Sequence, residues 1–206
     1  MFAAAADGRF PDPDGTLAVV PAPHPHRAAV VAFTAHSLVA TDLPPAEVRA
    51  QLAPDDFGAP VAAPFLAWLG QRLGATPGML DAVLVHRAAP PPATAGLTLV
   101  PAPHGHEHPR VARARRLRQD VQVLTTPDDQ GLVTLGRGLV GRWEISLELA
   151  PAARGRGLGR AMLAAARALL PPEAPLFAQV SPGNAQSLRA FLAAGYRPIG
   201  AEVLFP

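Results

Sequence analysis

The sequence predicts a mixed α/β fold in which helices flank a central mixed sheet. Two observations predict it. Short apolar runs bounded by turn residues are typical of buried strands, and they alternate with longer runs whose apolar residues recur at i, i+3 and i+4, which is typical of helices. Hydrophobic residues make up 49% of the 206 residues, so the chain can fill a core.

The C-terminal part, about residues 93–206, shows this alternation clearly. Strands are predicted over 97–100, 121–124, 132–136, 142–149, 176–180 and 201–205. Helices are predicted over 108–117, 161–170 and 185–194. Gly195 stands where a helix C-cap glycine belongs. The strand at 201–205 leaves little chain before Pro206, so the sheet is predicted to lack a full closing strand.

The N-terminal region, about residues 1–90, is less regular. Strands are predicted over 16–20 and 79–85, and helices over 28–39, 46–52 and 61–73, so this region is α/β or mainly helical. The Pro-rich run at 88–95 is the predicted linker. Residues 17–24 and 97–104 share the pattern Leu-x-x-Val-Pro-Ala-Pro-His. The similarity favours a half-repeat, although chance in an Ala/Pro-rich chain explains it as well.

A glycine-rich loop follows the predicted strand at 142–149 and leads into the helix at 161–170. It consists of Arg154, Gly155, Arg156, Gly157, Leu158, Gly159 and Arg160. The first N–H groups of a helix have no partner inside the helix, and the helix dipole adds positive charge there. Glycines let a phosphate approach the backbone, and the arginines add charge. The loop therefore predicts a phosphate-binding site; a turn that merely caps a surface helix is the alternative.

The spacing excludes two common phosphate loops. The chain contains no lysine, so it has no G-x-x-x-x-G-K-[ST] loop, and its glycines run G-x-G-x-G rather than G-x-G-x-x-G. The segment instead resembles the Arg/Gln-x-x-Gly-x-Gly/Ala signature of the GNAT superfamily, the acyl-CoA-dependent N-acetyltransferases. Arg154, Gly157 and Gly159 fill its fixed positions.

A second signature of the same family follows. It is a strand, an Asn with Ser or Ala three residues later, a short helix and a Gly-aromatic pair. Asn184, Ser187, Gly195 and Tyr196 match it. The resemblance is specific from about residue 143 to 204, and it implies a GNAT-like domain over 93–206; the N-terminal region, 1–90, is a separate α/β region for which a degenerate half-repeat and a chance similarity are both open.

The resemblance implies transfer of an acetyl group from acetyl-CoA to a primary amine by direct attack on the thioester. It places the pyrophosphate on the N–H groups of residues 156–160 and the pantetheine arm against the backbone of Leu147 and Leu149. It makes Asn184 a further contact of the cofactor. A catalytically idle acyl-CoA-binding or sensing module is the alternative function.

Glu144 and Glu148 are the candidate general bases. They lie four residues apart on one predicted strand, so their side chains share a face. Family enzymes often use a strand carboxylate to take the proton from the incoming ammonium. A solvated sheet face is the competing explanation for both.

Other mechanistic roles depart from the family or depend on the backbone. In the family, a tyrosine on the helix that corresponds to 185–194 acts as the general acid, and its position holds Phe191 here. Tyr196 stands at a site that is generally core, so the sequence assigns no general acid. An N–H group near Leu149 is expected to stabilise the oxyanion.

Two polar clusters suggest further binding. His104, His106 and His108 alternate, but no cysteine completes a metal site, so we assign no metal. Arginines wrap the helix at 108–117, which is typical of a solvated helix; an anionic substrate or the 3′-phosphate of coenzyme A is the functional reading. No aromatic residues interleave for base stacking, so nucleic acid is not an expected partner.

Composition limits the cellular environment. The chain has no cysteine, which excludes disulfides, thiolate metal sites and a cysteine nucleophile. Residues 1–6 lack the features of a secretory signal, and no apolar run is long enough to span a membrane, so a cytoplasmic protein without a membrane partner is expected. The acceptor is expected to be a small amine or an amine of a peptide or protein, and a homodimer is compatible with the sequence.

Overall fold

The computed structural model describes residues 1–23, 28–53, 55–87, 96–102 and 107–206. The chain divides into two compact units. The first contains residues 1–83, 181–183 and 198–206, and the second contains residues 84–180 and 184–197. The predicted linker at 88–95 lies outside the described residues, and the domain boundary predicted there stays a prediction.

The first unit is a sheet covered by helices. Its helices are α1 (Phe2–Ala6), α2 (Pro45–Arg49) and α3 (Ala63–Leu73), and its strands are β1 (Leu17–Val20), β2 (Ala28–Phe33), β3 (His36–Ala40), the first half of β4 (Asp81–His86) and most of β10 (Arg197–Phe205). The strand order is β1-β3-β2-β10, in which β1 and β3 are parallel and the other pairs are antiparallel. Residues of α3, β2 and β10 share one apolar core.

The helix predicted over 28–39 is wrong, because this segment forms the β2–β3 hairpin. The turn places Ala35 at a φ of 46°. Five of the six β2 residues are buried, so the strand is apolar on both faces and carries no period of two in its sequence. A continuous run of Ala and Val cannot be assigned to helix or strand from periodicity alone.

The closing strand is also longer than the sequence predicted. β10 begins at Arg197 and has nine residues. Residues 201–205 pair with residues 28–32 of β2 in antiparallel register. The first half of the strand was not predicted because it contains Pro198 and Gly200, and both residue types are rare inside strands. Gly200 is needed there because a Cβ would collide with the carbonyl oxygen of Ala32.

The second unit carries the two sequence signatures. Its elements are β5 (Val100–Pro101), α4 (Pro109–Leu117), β6 (Gln119–Thr125), β7 (Gly131–Arg137), β8 (Trp143–Leu149), α5 (Leu158–Arg167), β9 (Leu176–Val180) and α6 (Ala185–Ala193). The strand order is β4-β9-β8-β7-β6-β5. The β5–β6, β6–β7 and β7–β8 pairs are antiparallel and β8–β9 is parallel. The predicted mixed α/β fold, with flanking helices, is confirmed.

Helix α5 is held against the sheet by small residues that allow close approach. Met162, Leu163 and Ala166 are buried on the face that meets the sheet. A Cβ on Gly131 of β7 would collide with the Met162 side chain. The N-terminus of α5 is thereby fixed beside the end of β8, where the glycine-rich loop lies. Among the described residues, none of the helices is long and apolar enough to cross a membrane.

We predict that a fragment of residues 93–206 is insoluble or molten when expressed alone. The fragment retains β10 but lacks β2, and the buried side chains of Val203 and Phe205 lose the apolar residues of α3 and β2 that surround them. An unpaired strand edge and an exposed apolar face both promote aggregation. Circular dichroism melting and size-exclusion chromatography of the fragment and the full chain test this. A monomeric fragment with a cooperative transition would contradict it.

Candidate functional site

The glycine-rich loop turns sharply between β8 and α5. Gly155 has a φ of 75° and Gly157 a φ of 83°, both in the left-handed region that other residues rarely adopt. Gly157 is the N-cap residue of α5, which begins at Leu158, three residues before the predicted start. No atom lies within 4 Å of a Cβ built on either glycine. The two glycines are therefore required by backbone conformation and not by crowding.

The loop presents a row of unused backbone donors. Within residues 107–206, the N–H groups of residues 155–159 have no hydrogen-bond acceptor, whereas those of Arg160 and Ala161 bond to the carbonyl of Gly157. Arg156 and Arg160 are exposed beside these donors. Arg154 instead donates its Nε to the carbonyl of Leu149 at 3.2 Å. Unpaired N–H groups at a helix N-terminus with adjacent guanidinium groups have the chemistry that an anion requires.

Gly159 lets α5 lie directly on β8. A Cβ on Gly159 would sit 3.2 Å from Cδ1 of Leu149 and 3.9 Å from Cδ1 of Leu147. This explains in packing terms why a small residue stands at this position. It also holds the loop and its free N–H groups at the carboxyl end of β8.

β8 and β9 separate beside the loop. The parallel pairs are Trp143–Leu176 and Glu144–Phe177, and the pairing does not continue toward the carboxyl ends of the two strands. A gap therefore opens between Leu147–Leu149 on one side and the end of β9 on the other. The last pair before the gap is Glu144–Phe177.

The backbone of Leu147 and Leu149 faces this gap. Leu149 lies opposite Gly131 in the β7–β8 pair. The Gly131 carbonyl accepts from the Thr126 N–H, so the Gly131–Leu149 pair exchanges no hydrogen bonds. Alternation along the strand gives Leu147 the same orientation. Their N–H and C=O groups thus point away from β7, toward the space that β9 has left.

Glu148 lies half-exposed on the face of β8 that α4 covers. Its Oε2 atom accepts from Nε of Arg110 at 3.0 Å and lies 3.9 Å from Nε2 of His108. His108 is the N-cap of α4, where its Nδ1 atom accepts from the N–H of Arg110 at 3.1 Å. The Glu148 side chain is 40% exposed. This carboxylate is accessible to a ligand and is fixed from one side.

Glu144 lies on the same face, as predicted, but in a very different environment. Its side chain is 2% exposed, and its two oxygens accept from Nε of Arg118 at 3.0 Å and from Nε of Arg142 at 2.9 Å. Burial opposes ionisation, but the guanidinium groups of Arg142 and Arg118 outweigh it and hold the pKa of Glu144 below its usual value. The carboxylate is charged, enclosed and fully engaged.

A polar network extends from this cluster across the sheet. Arg118 donates Nη1 to the Thr134 hydroxyl and Nη2 to Oε1 of Gln179, each at 3.3 Å. The hydroxyl groups of Thr134 and Ser146 lie 2.6 Å apart. The sequence analysis missed Arg118 and Arg142 as partners of Glu144. The sequence of β8 does not distinguish Glu144 from Glu148, because both carboxylates alternate with apolar residues in the same strand.

Phe191 and Tyr196 both lie in the core. Phe191 is 5% exposed and Tyr196 is 3% exposed, and their rings meet edge to face at 4.9 Å. The Tyr196 ring also lies 5.2 Å from the ring of His86. Burial raises the pKa of Tyr196 above its usual value and lowers that of His86. Tyr196 is therefore packed away from solvent, as its sequence position indicated.

Asn184 forms the N-cap of α6, where its Oδ1 atom accepts from the Ser187 N–H at 3.0 Å. Its spacing to Ser187 thus has a local structural cause, since an Asn at this position satisfies a free helix N–H. His104 and His106 lie outside the described residues. Arg118, which directly follows α4, is buried, whereas the arginines of this helix were expected to be solvated.

Comparison with known proteins gives structural similarities alone. No protein-family model and no curated protein matches the sequence. A GCN5-related N-acetyltransferase from Kribbella flavida is 20% identical with a TM-score of 0.44, over 68% of this chain and 63% of that one. A putative GNAT-family acetyltransferase from Novosphingobium aromaticivorans is 16% identical with a TM-score of 0.42, over 62% of this chain and 63% of that one.

A functionally unknown protein from Staphylococcus epidermidis is 14% identical with a TM-score of 0.44, over 69% of this chain and 66% of that one. The chain thus spans about 63% of the first two structures that it resembles. Similarities of this size do not assign a family.

We predict that Glu144→Gln lowers the free energy of unfolding by about 3–5 kcal/mol, because it removes the buried charge that Arg118 and Arg142 share. Glu148→Gln is the matched control on the same strand face, and its loss should be about 0–1 kcal/mol, as for an exposed ion pair. Urea denaturation of both variants measures the difference. Equal losses would show that the buried cluster adds nothing beyond a surface pair.

The difference in unfolding free energy between the wild type and Glu144→Gln should also depend on pH. The folded-state pKa of Glu144 is depressed below 4.5, so its stabilising contribution is present above that pH and is lost as the pH falls through the lowered value. The gap in stability between the wild type and Glu144→Gln should therefore narrow below about pH 4.5.

We also predict that Tyr196→Phe keeps or raises the melting temperature. The Tyr196 hydroxyl is buried without a hydrogen-bond partner among the described residues. An unsatisfied buried polar group costs about 1–3 kcal/mol, so its removal should not destabilise the core. Differential scanning fluorimetry with Phe191→Ala as a cavity-forming comparison tests this. A clear fall in melting temperature would mean that the hydroxyl makes a stabilising contact.

Proposed function

We propose that this chain transfers an acetyl group from acetyl-CoA to a primary amine, in the manner of a GNAT acetyltransferase. The observation that carries the proposal is the gap between β8 and β9, which opens beside a helix N-terminus whose N–H groups are unpaired. A strand gap supplies backbone hydrogen bonds to an extended arm, and the loop supplies donors for a pyrophosphate. The two features lie in the order that a pyrophosphate followed by a pantetheine arm requires.

Several groups of this chain are suited to hold acetyl-CoA, the acyl donor. The N–H groups of residues 155–159, together with Arg156 and Arg160, would hold the pyrophosphate. The backbone of Leu147 and Leu149 would pair with the amides of the pantetheine arm. Bound there, acetyl-CoA supplies an activated thioester. A backbone N–H near Leu149 is our candidate for stabilising the developing oxyanion, since preorganised donors contribute strongly to acyl transfer.

Glu148 is the better candidate for the general base. It is half-exposed, and its Oε1 atom has no partner among the described residues. Glu144 is enclosed by two arginines and uses both oxygens, so it cannot receive a proton from an incoming ammonium. We therefore propose that Glu148 accepts the proton and that Glu144 anchors the strand.

The reaction is balanced in bonds and protons. The ammonium gives one proton to Glu148, which passes it to solvent, and the free amine forms a new N–C bond to the acetyl carbon. The nitrogen, which carries an excess proton after attack, releases it to solvent. The C–S bond breaks and the departing thiolate takes up one proton, so that the net products are the amide, the thiol and one released proton. Because the buried Tyr196 and the apolar Phe191 offer no acid at the leaving group, the proton that the thiolate takes up comes from solvent.

A catalytically idle acyl-CoA-binding module remains the second candidate. The observation that favours it is Phe191 at the position of the acid tyrosine. A short closing strand would also favour it, but β10 has nine residues. We also propose that the protein is cytoplasmic, that it binds neither nucleic acid nor a membrane, and that it can form a homodimer.

Binding of coenzyme A tests the site, and Gly157→Asp should weaken it at least ~10-fold, since a lost charge-assisted contact is worth about 1.5–3 kcal/mol. Gly141→Asp is the matched control. Gly141 also has a positive φ, 73°, and open space around its Cβ. It lies beyond the opposite end of β8, roughly 20 Å away at the usual rise per residue. Calorimetry on the three proteins measures the effect, and equal affinities would defeat the assignment of the loop.

Turnover separates the enzyme from the idle module. A panel of amines is incubated with acetyl-CoA, and release of the thiol and formation of the amide are both measured. Glu148→Gln should lower kcat at least ~100-fold, within the range for general bases, while the affinity for coenzyme A is kept. Full activity in Glu148→Gln would move the base elsewhere.

A further inference from the structure

We propose that the acceptor is a free amino acid, whose carboxylate binds Arg110 while its ammonium binds Glu148. The inference rests on the proposed function, since it names the acceptor class of that reaction. It is carried by one ion pair at the site and by the polar atoms which that pair leaves unused.

The pair uses only half of each side chain. Arg110 donates through Nε alone, and Glu148 accepts through Oε2 alone, at 3.0 Å. In the described part of the chain, Nη1 and Nη2 of Arg110 and Oε1 of Glu148 have no hydrogen-bond or ion-pair partner. Both side chains are partly exposed, Arg110 at 35% and Glu148 at 40%. The site thus offers a guanidinium fork and a carboxylate oxygen side by side.

This charge arrangement is the reverse of an amino acid's. A zwitterion carries an ammonium and a carboxylate on adjacent carbons, so its cation can lie on Oε1 of Glu148 while its anion lies on the fork of Arg110. A guanidinium binds a carboxylate through two parallel hydrogen bonds, which fixes orientation as well as adding binding energy. The amine that reacts is then the one beside the carboxylate.

Other amines fit the same pair less well. The side-chain ammonium of a protein lysine and the N-terminus of a peptide carry no free carboxylate next to the nitrogen. Such an amine would bring its positive charge toward Arg110 without an anion to neutralise it. Like charges placed together cost binding energy, so Arg110 selects against these acceptors as well as for amino acids.

The backbone holds Arg110 in place. Arg110 is the second residue of α4, and its N–H donates to Nδ1 of His108, the N-cap residue. Nε2 of the same imidazole lies 3.9 Å from Oε2 of Glu148. The imidazole therefore bonds to the backbone of Arg110 and lies beside the carboxylate of Glu148. We assign His108 a positioning role, because it holds the start of α4 against the carboxylate.

The test compares phenylalanine with two amines that lack its negative charge. Phenylalanine methyl ester has a neutral ester in place of the carboxylate, and phenethylamine lacks the group altogether. The wild type should acetylate phenylalanine with kcat/KM at least ~10-fold above the other two, the value of one charge-assisted contact. Arg110→Gln should abolish this preference, so that the three amines react with equal kcat/KM, whatever change the lost ion pair makes to the rate that all three share. Arg189→Gln, which removes an exposed arginine on α6, is the charge-matched control and should keep the preference.

Calorimetric titration of phenylalanine into the complex with coenzyme A gives a readout that needs no turnover. Binding that is lost in Arg110→Gln and kept in Arg189→Gln supports the inference, even if no amide forms and the transferase proposal fails. Transfer that is equal for all three amines, or unchanged by Arg110→Gln, overturns the inference and leaves the transferase proposal standing. Absence of both binding and transfer overturns the inference as well.

Discussion

The buried carboxylate of Glu144 sets where β8 and β9 stay together. Glu144 belongs to the last pair of the β8–β9 ladder, and the two arginines on its oxygens come from the start of β6 and from the turn before β8. Three charges enclosed in a sheet tolerate little displacement, because each would lose its partner in a medium of low dielectric constant. The strands are fixed at this point and are free to part beyond it.

Local patterns predicted the part of the site that local physics controls. The loop from Arg154 to Arg160 could be found because a helix start with glycines at positive φ has few sequence solutions. The Asn184 cap was visible for the same reason, although the structure gives it a role within the helix. The sequence did not show that Glu144 is buried in a structural cluster, whereas Glu148 remains accessible as the candidate base. Their spacing placed them on one face, but Arg118 and Arg142 meet Glu144 only after the sheet has formed.

The errors in the fold have one cause, which is pairing between distant segments. Residues 28–33 are apolar throughout, so nothing local distinguished a strand buried on both faces from a helix. The length of β10 was hidden by Pro198 and Gly200, and its partner β2 lies near the other end of the chain. Contacts of this kind leave no periodic signal in either segment.

The pairing of β10 with β2 also affects the order in which the chain can fold during synthesis. Domains usually fold as units from the N-terminus while the ribosome is still adding residues. Here β2 emerges early and can pair with β3 on one edge, but β10, its neighbour on the other edge, is made only after the whole of residues 84–180. The apolar edge of β2 must wait through that interval, open to wrong partners. Slow synthesis over the second unit would lengthen the wait, so chaperone demand should rise with translation time.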